Sequence, residues 1–172
     1  MPKPVKVTTP SDCEVEVVRT FDAPAQLIWD CHTRPELVSR WLLGPDGWGM
    51  PHCVIDLSVG GRYRYVWRHL TNGRAFGSYG RYREVVAPHH LVFTEEMDGL
   101  DGRPMDIDNP VEGPNPSVNT MDLTEVGGRT TLRLNMRFPS SAIRDMALKS
   151  GMTDGMGVSF DRLEAVIADV TA

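Results

Sequence analysis

The chain has 172 residues, of which 41% are hydrophobic and 24% charged, and carries a formal net charge of -5. That is the size and balance of one globular domain with a real core, and the negative charge excludes a surface built for non-specific nucleic-acid binding. No apolar run approaches the roughly 18 residues of a membrane-spanning helix, and the opening "MPKPVKVTTPSD" lacks the apolar stretch of a secretion signal. These features predict a cytoplasmic protein without nucleic-acid or membrane partners. Residues 1–12 read as a flexible N-terminal segment and residues 13–172 as a single domain.

The first element is "CEVEVVRTF" (13–21), where Val15, Val17 and Phe21 alternate with Glu14 and Glu16, the pattern of a half-buried strand with Arg19 as the exception on its apolar face. "DAPAQLIWDCHT" follows as a short helix, with Asp22 placed to cap it and Leu27, Ile28 and Cys31 in one stripe. Thr33-x-x-Glu36 has capping-box form and opens a second short helix, whose Leu37, Val38, Trp41 and Leu42 share a face before Gly44-Pro45 ends it.

The period then changes to two. Strands are predicted over 52–59, 62–69, 74–86 and 90–97, with a two-residue hairpin at Gly60-Gly61 and another turn at Asn72-Gly73. Residues 98–116 are dense in Gly, Pro and Asp and read as a long loop. Strands over 117–127 and 129–138 meet across Gly127-Gly128; in the second, Leu132, Leu134, Met136 and Phe138 face the core. Ser140 caps a long terminal helix with an apolar line from Ile143 to Ile167, interrupted by Gly151, Gly155 and Gly157, which predicts a kink or a close neighbour. The order predicts an α+β fold in which one long helix covers the apolar face of a curved antiparallel meander.

The stretches "PAQLIWDCHTRPELVSRWLLGP", "DLSVGGRYRYVWR", "GSYGRYREVVAPHHLVFTEE", "TTLRLNMRF" and "GMTDGMGVSFDRLEAVI" together resemble the START-like (SRPBCC) superfamily, in the branch related to the activator of the heat-shock-protein-90 ATPase. The resemblance runs from about residue 13 to the C-terminus. It implies a helix-grip fold, as in birch-pollen allergens, with a cavity between sheet and terminal helix that across the superfamily holds lipids, sterols, polyketides and other hydrophobic molecules. Two features depart from the branch: Gly155-Met156 stands where Gly-Trp is common, and the 98–116 loop looks longer, which predicts a lid over the cavity mouth.

Candidate binding residues follow. Tyr63, Tyr65 and Trp67 alternate along one strand, Phe76 and Tyr82 share a phase on the next, and Trp41 and Trp48 flank the Gly-Pro-Asp-Gly turn as candidates for the cavity mouth. Met121, Met136, Met152, Met156 and Phe160 complete the set, methionine being suited to an adaptable wall; each of these residues can equally be plain core. Arg62, Arg64, Arg68, Arg81 and Arg83 read as a solvated sheet face with weak cross-strand ion pairs.

No nucleophile elbow, phosphate loop or zinc-protease signature is present. Among the single carboxylates Asp56, Glu84, Glu95 and Asp122, Glu84 is the candidate acid or base, being in phase with Tyr82. Cys13, Cys31 and Cys53 form no paired spacing and predict reduced thiols. The adjacent pairs Cys31-His32 and His52-Cys53 diverge in direction, so neither a metal nor a cofactor is expected. The reading is a non-enzymatic protein that binds a hydrophobic or amphipathic small molecule. The alternatives are a cyclase-, aromatase- or hydrolase-like enzyme, polyketide cyclases being the comparison, and a module acting on a chaperone ATPase. Association as a homodimer is left open.

Overall fold

The computed structural model describes residues 5–100 and 104–172. Lys6–Thr8 form a short strand, β1, against β2 (Glu14–Phe21). Part of the segment read as flexible is therefore the edge of the sheet; residues 1–4 lie outside the described residues. In β2 the predicted alternation buries Val15, Val17 and Phe21, and Arg19 is buried with them.

Two short helices follow, α1 (Ala25–Thr33) and α2 (Pro35–Trp41). Neither starts as the sequence suggests. The first free amide of α1, on Ala25, donates to Glu125 Oε1 at 2.7 Å, so a carboxylate from a distant strand takes the place expected of Asp22. Thr33 is the last residue of α1, its hydroxyl donating to the Trp29 carbonyl at 2.8 Å, and α2 begins behind Arg34 with Pro35 in its first turn. The capping box does not form, because its threonine is used by the helix before it.

The chain then runs as an antiparallel meander through β3 (Trp48–Ile55), β4 (Arg62–His69), β5 (Ala75–Val86), β6 (His90–Asp98), β7 (Ser117–Val126) and β8 (Arg129–Arg137). The sheet order is β1-β2-β8-β7-β6-β5-β4-β3, so β2 closes against β8 at the far side from β3. The 52–59 strand lies four residues earlier than predicted, and residues 56–61 form the connection. Gly60 takes a positive φ of 83°, as a turn glycine should, but it belongs to this longer loop and not to a two-residue hairpin. At Gly127-Gly128 the two-residue turn forms, with φ of 59° and 76°.

The terminal helix is two helices. α3 (Ser141–Lys149) is capped by Ser140, whose Oγ accepts from the Ile143 amide at 3.2 Å; Gly151, at φ 83°, then ends it before α4 (Met152–Thr171) begins. The C-terminal half of α4 buries Phe160, Leu163, Val166 and Ile167 in a core with α1, β2, β7 and β8. No residue of α3 is buried.

The described residues of the 98–116 loop run over the outer face of the sheet. Arg64, on the outer face of β4, forms a bidentate pair with Asp98 (both contacts 2.8 Å) and donates to the carbonyls of Asp106 and Ile107 at 2.9 and 3.0 Å. Tyr79 Oη donates to the Val111 carbonyl at 2.7 Å, and Arg81 reaches Glu112 at 2.7 Å. The described part of the loop is thus strapped to the outside of the sheet. Of the five arginines read as a solvated face, Arg62, Arg68 and Arg83 are exposed and Arg81 is half-buried, but Arg64 is buried, and Gly77, whose added Cβ would meet both Arg64 and Asp98, leaves the room for that pair to close across β5. Residues 101–103 of the loop lie outside the described residues.

Candidate functional site: an aromatic wall and a buried carboxyl on the inner sheet face

Cross-strand register fixes which side chains face α3 and α4. Cys53, Tyr65 and Ser78 lie side by side on β3, β4 and β5, with Met97 next on β6; Trp67 pairs with Phe76; Phe93, Asn119, Met136 and Val15 form a row across β6, β7, β8 and β2. Side chains at these positions share the face that carries the core.

The twelve predicted binding residues separate into two groups. Trp41, Tyr63, Tyr82, Met121, Met136 and Phe160 are buried in the core. Trp41 faces inward as expected, but at 2% exposure it is a core residue and not a cavity mouth: its Nε1 donates to the Cys31 carbonyl at 2.7 Å and its ring stacks on Phe160, centroids 5.9 Å apart. His32 packs edge-on against the same indole, and burial lowers its pKa to about 4, so it is neutral. Trp48, Tyr65, Trp67, Phe76, Met152 and Met156 remain half-buried. Trp48 is on β3, not on the turn.

The half-buried aromatics are continuous. Tyr65 meets Trp67 at 6.0 Å between centroids, Trp67 stacks on Phe76 at 5.0 Å, and Phe76 meets Trp48 edge-on at 5.1 Å. Trp67 Nε1 donates to the Leu42 carbonyl at 2.6 Å, which fixes the ring against Phe76. Tyr63 lies across Gly80, its pairing partner, and its hydroxyl donates to the Thr94 carbonyl at 2.6 Å; a side chain at Gly80 would collide with that carbonyl.

Glu84 does not face this wall. Tyr82 pairs with Phe93 but Glu84 pairs with Val92, so a bulge places two steps of β5 against one of β6 and reverses the parity beyond Tyr82. Glu84 is on the outer face with its side chain 60% exposed, bound to His90 Nε2 at 2.9 Å, and His90 Nδ1 lies 2.5 Å from Asp122. These two carboxylates raise the His90 pKa, Asp122 contributing most. Asp56 sits on the β3–β4 connection, where it accepts from Ser58.

The carboxyl that does face inward is Glu95. It continues the alternation Leu91, Phe93, Glu95 along β6, a signal present in the sequence that the more conspicuous phase of Glu84 obscured. Its Oε2 accepts from Ser78 Oγ at 3.0 Å and its Oε1 from Asn119 Nδ2 at 3.4 Å. Burial raises the Glu95 pKa above the ordinary carboxylate value, the bonds from Ser78 and Asn119 opposing the shift. Burial likewise raises the Tyr63, Tyr65 and Tyr82 hydroxyls, keeping them protonated. Asn119 lay outside the sequence-based candidates altogether.

Two concavities open elsewhere. One of about 440 Å³ lies on the outer face beneath the strapped loop, between Arg64, Tyr79, Arg81, Ile107 and Glu112; another of about 540 Å³ lies beside Met50, Arg68 and Leu70. At the first, Arg81 pairs with Glu112, and Arg64 with Asp98. Among the described residues no group of three or more His, Cys, Asp or Glu is arranged to hold a metal ion, and no helix is long and apolar enough to cross a membrane. The three cysteines are free thiols, with burial raising Cys31 to about 11 and Cys53 to about 12.

An eight-stranded antiparallel sheet wrapped toward a long terminal helix, with two short helices between its first long strand and the meander, is the START-like helix-grip architecture. Residues 22–168 match the family described as Activator of Hsp90 ATPase homolog 1-like protein, and the chain belongs to that family. The fold is shared with a crystal structure from Rhodobacter sphaeroides (26% identity, 96% of this chain and 99% of that one, TM-score 0.82). It is shared also with a solution structure from Arthrobacter aurescens (22%, 98% and 93%, 0.80). A third example is the crystal structure of an AHSA1 protein from Silicibacter pomeroyi (19%, 90% and 97%, 0.68). Among curated proteins none matches the chain.

Proposed function

We infer that the protein binds a hydrophobic or amphipathic small molecule between the inner face of β3–β6 and the α3–α4 segment. One observation carries this reading: Trp48, Tyr65, Trp67 and Phe76 stay half-buried in one continuous aromatic run on the inner sheet face, with Met152 and Met156 half-buried on α4, whereas Val15, Val17 and Phe21 on β2 are fully buried. Large apolar side chains held partly open to solvent on a concave face are the lining of a ligand site. Each 100 Å² of ligand surface removed from water there contributes about 2.5 kcal/mol. Three free thiols support a reducing compartment, and we read the protein as cytoplasmic.

A second reading, turnover of such a ligand, is supported by Glu95, whose raised pKa suits proton transfer and which stands where Glu84 was expected. The two share one site and differ in whether the bound molecule changes.

Native mass spectrometry of gently purified protein tests the common element. The expected spectrum carries a discrete extra mass that organic extraction removes, together with a change in tryptophan fluorescence from Trp48 and Trp67. A bare chain whose fluorescence is indifferent to extraction and to added aromatic ligands would contradict the reading.

A further inference from the structure

Inside the apolar face of the sheet sits a small polar group whose bonding is incomplete. Asn119 is 4% exposed, uses its Nδ2 on Glu95, and leaves its Oδ1 with no hydrogen-bond partner. A buried carbonyl oxygen without a donor is costly enough that native proteins rarely retain one unless something supplies the donor. Ser78, fully buried, spends its only proton on Glu95 Oε2 and cannot help. The Glu95 carboxyl therefore accepts from both neighbours, and Asn119 Oδ1 adds a further acceptor beside it.

The surroundings decide what could complete this set. The inward positions nearest to it, Tyr63, Tyr65, Phe93 and Met136, carry no cation. A carboxylate or phosphate group placed there would meet carboxyl and amide oxygens with nothing to neutralise it. A hydroxyl or N–H donor on a neutral molecule would meet acceptors only. Next along β4 and β5 stands the aromatic wall, Tyr65 being the pairing partner of Ser78 and touching Trp67.

We propose that Asn119, Glu95 and Ser78 form a polar anchor that selects a flat, neutral ligand carrying a hydroxyl or N–H donor and rejects apolar acids. This deepens, and rests on, the binding function proposed above. Asn119 Oδ1 takes the donor, Glu95 stands beside it as a second acceptor, and Ser78 holds the Glu95 carboxyl in place.

Calorimetric titration with three molecules of one shape tests the anchor: a phenolic hydroxyindane, indane and an indane carboxylate. The wild-type protein is expected to bind the hydroxyindane about tenfold more tightly than indane, and the carboxylate most weakly of the three. Asn119→Leu should bring hydroxyindane down to the affinity of indane while leaving indane unchanged. Glu95→Gln, which keeps the volume and supplies an N–H, should improve carboxylate binding about tenfold and guards against misfolding of the first variant. Equal affinity for hydroxyindane and indane, or a preference that survives both substitutions, would overturn the anchor and leave the ligand-binding reading standing. Failure of all three probes to bind would overturn both.

Discussion

The inner face of the sheet has two halves that share one alternation of residues and differ in their cover. Beneath the C-terminal turns of α4, Val15, Phe21, Ile28, Leu132 and Leu163 are at most 1% exposed. On β4, β5 and β6, Tyr65, Trp67, Phe76, Phe93 and Glu95 face inward but remain half-buried. Phe160, Leu163 and Ile167 fall at steps of three and four on α4 and pack into the core, whereas α3 buries no residue and packs against β2 and α4. The two halves thus differ in how completely they are covered, and the binding proposed above falls on the less covered one.

This contrast can be broken by substitution. The largest effect is expected from Phe160→Ala in the sealed half, which removes a ring packed on Phe21 and Trp41 and should lower unfolding free energy by about 3–5 kcal/mol in a denaturant titration. Trp67→Ala in the open half should cost less, about 2–3 kcal/mol, because the ring is only half-buried although it loses its stacking on Phe76 and its bond to Leu42, and it should abolish most ligand affinity. Equal losses of stability from both variants would erase the distinction.

Two smaller effects sharpen it through pH. The Glu95 pKa is raised by folding, so the native state holds its proton more tightly than the unfolded chain does. Its contribution to stability is complete below the ordinary value near 4.5 and is lost as pH rises through the raised value. Melting temperature should therefore fall over that window in the wild type, and Glu95→Gln should remove this fall; a profile unaltered by the substitution would show Glu95 to be solvated.

On the outer face the His90 pKa is also raised, and stability from its bonds to Asp122 and Glu84 is present below about 6.5 and lost as pH rises through the higher folded value. That imidazole is a third exposed, so His90→Gln should change stability by no more than about 1 kcal/mol at any pH. A larger loss would mean that this surface cluster does more than brace β5, β6 and β7.

The sealed half was legible in the sequence. Alternation in β2 and β8 and the three-and-four spacing of α4 name its core residues directly, because a buried face admits few polar substitutions. Arg19 is the exception, and it is held there by Asp161 at 2.9 Å and Glu164 at 3.4 Å, both on α4, where only the tertiary fold brings them. The open half was legible in composition but not in geometry. Tyr65, Trp67 and Phe76 were read as strand residues and Trp48 as part of the turn, but parity counted along β5 fails at Tyr82, since a bulge has no one-residue signature and inverts every position after it. The destination of the 98–116 loop was equally invisible: it depends on Arg64 meeting Asp98 across Gly77, three residues on three different strands.

The most direct test of the account is to locate a bound ligand by backbone amide NMR. Titration with the hydroxyindane should shift Tyr65, Trp67, Phe76, Ser78, Glu95 and Asn119 on the sheet and Met152 and Met156 on α4, while Val17, Leu132 and Leu163 hold still. Shifts centred instead on Arg64, Tyr79 and Ile107, around the outer groove, would contradict the central claim that the half-covered inner face is the binding site.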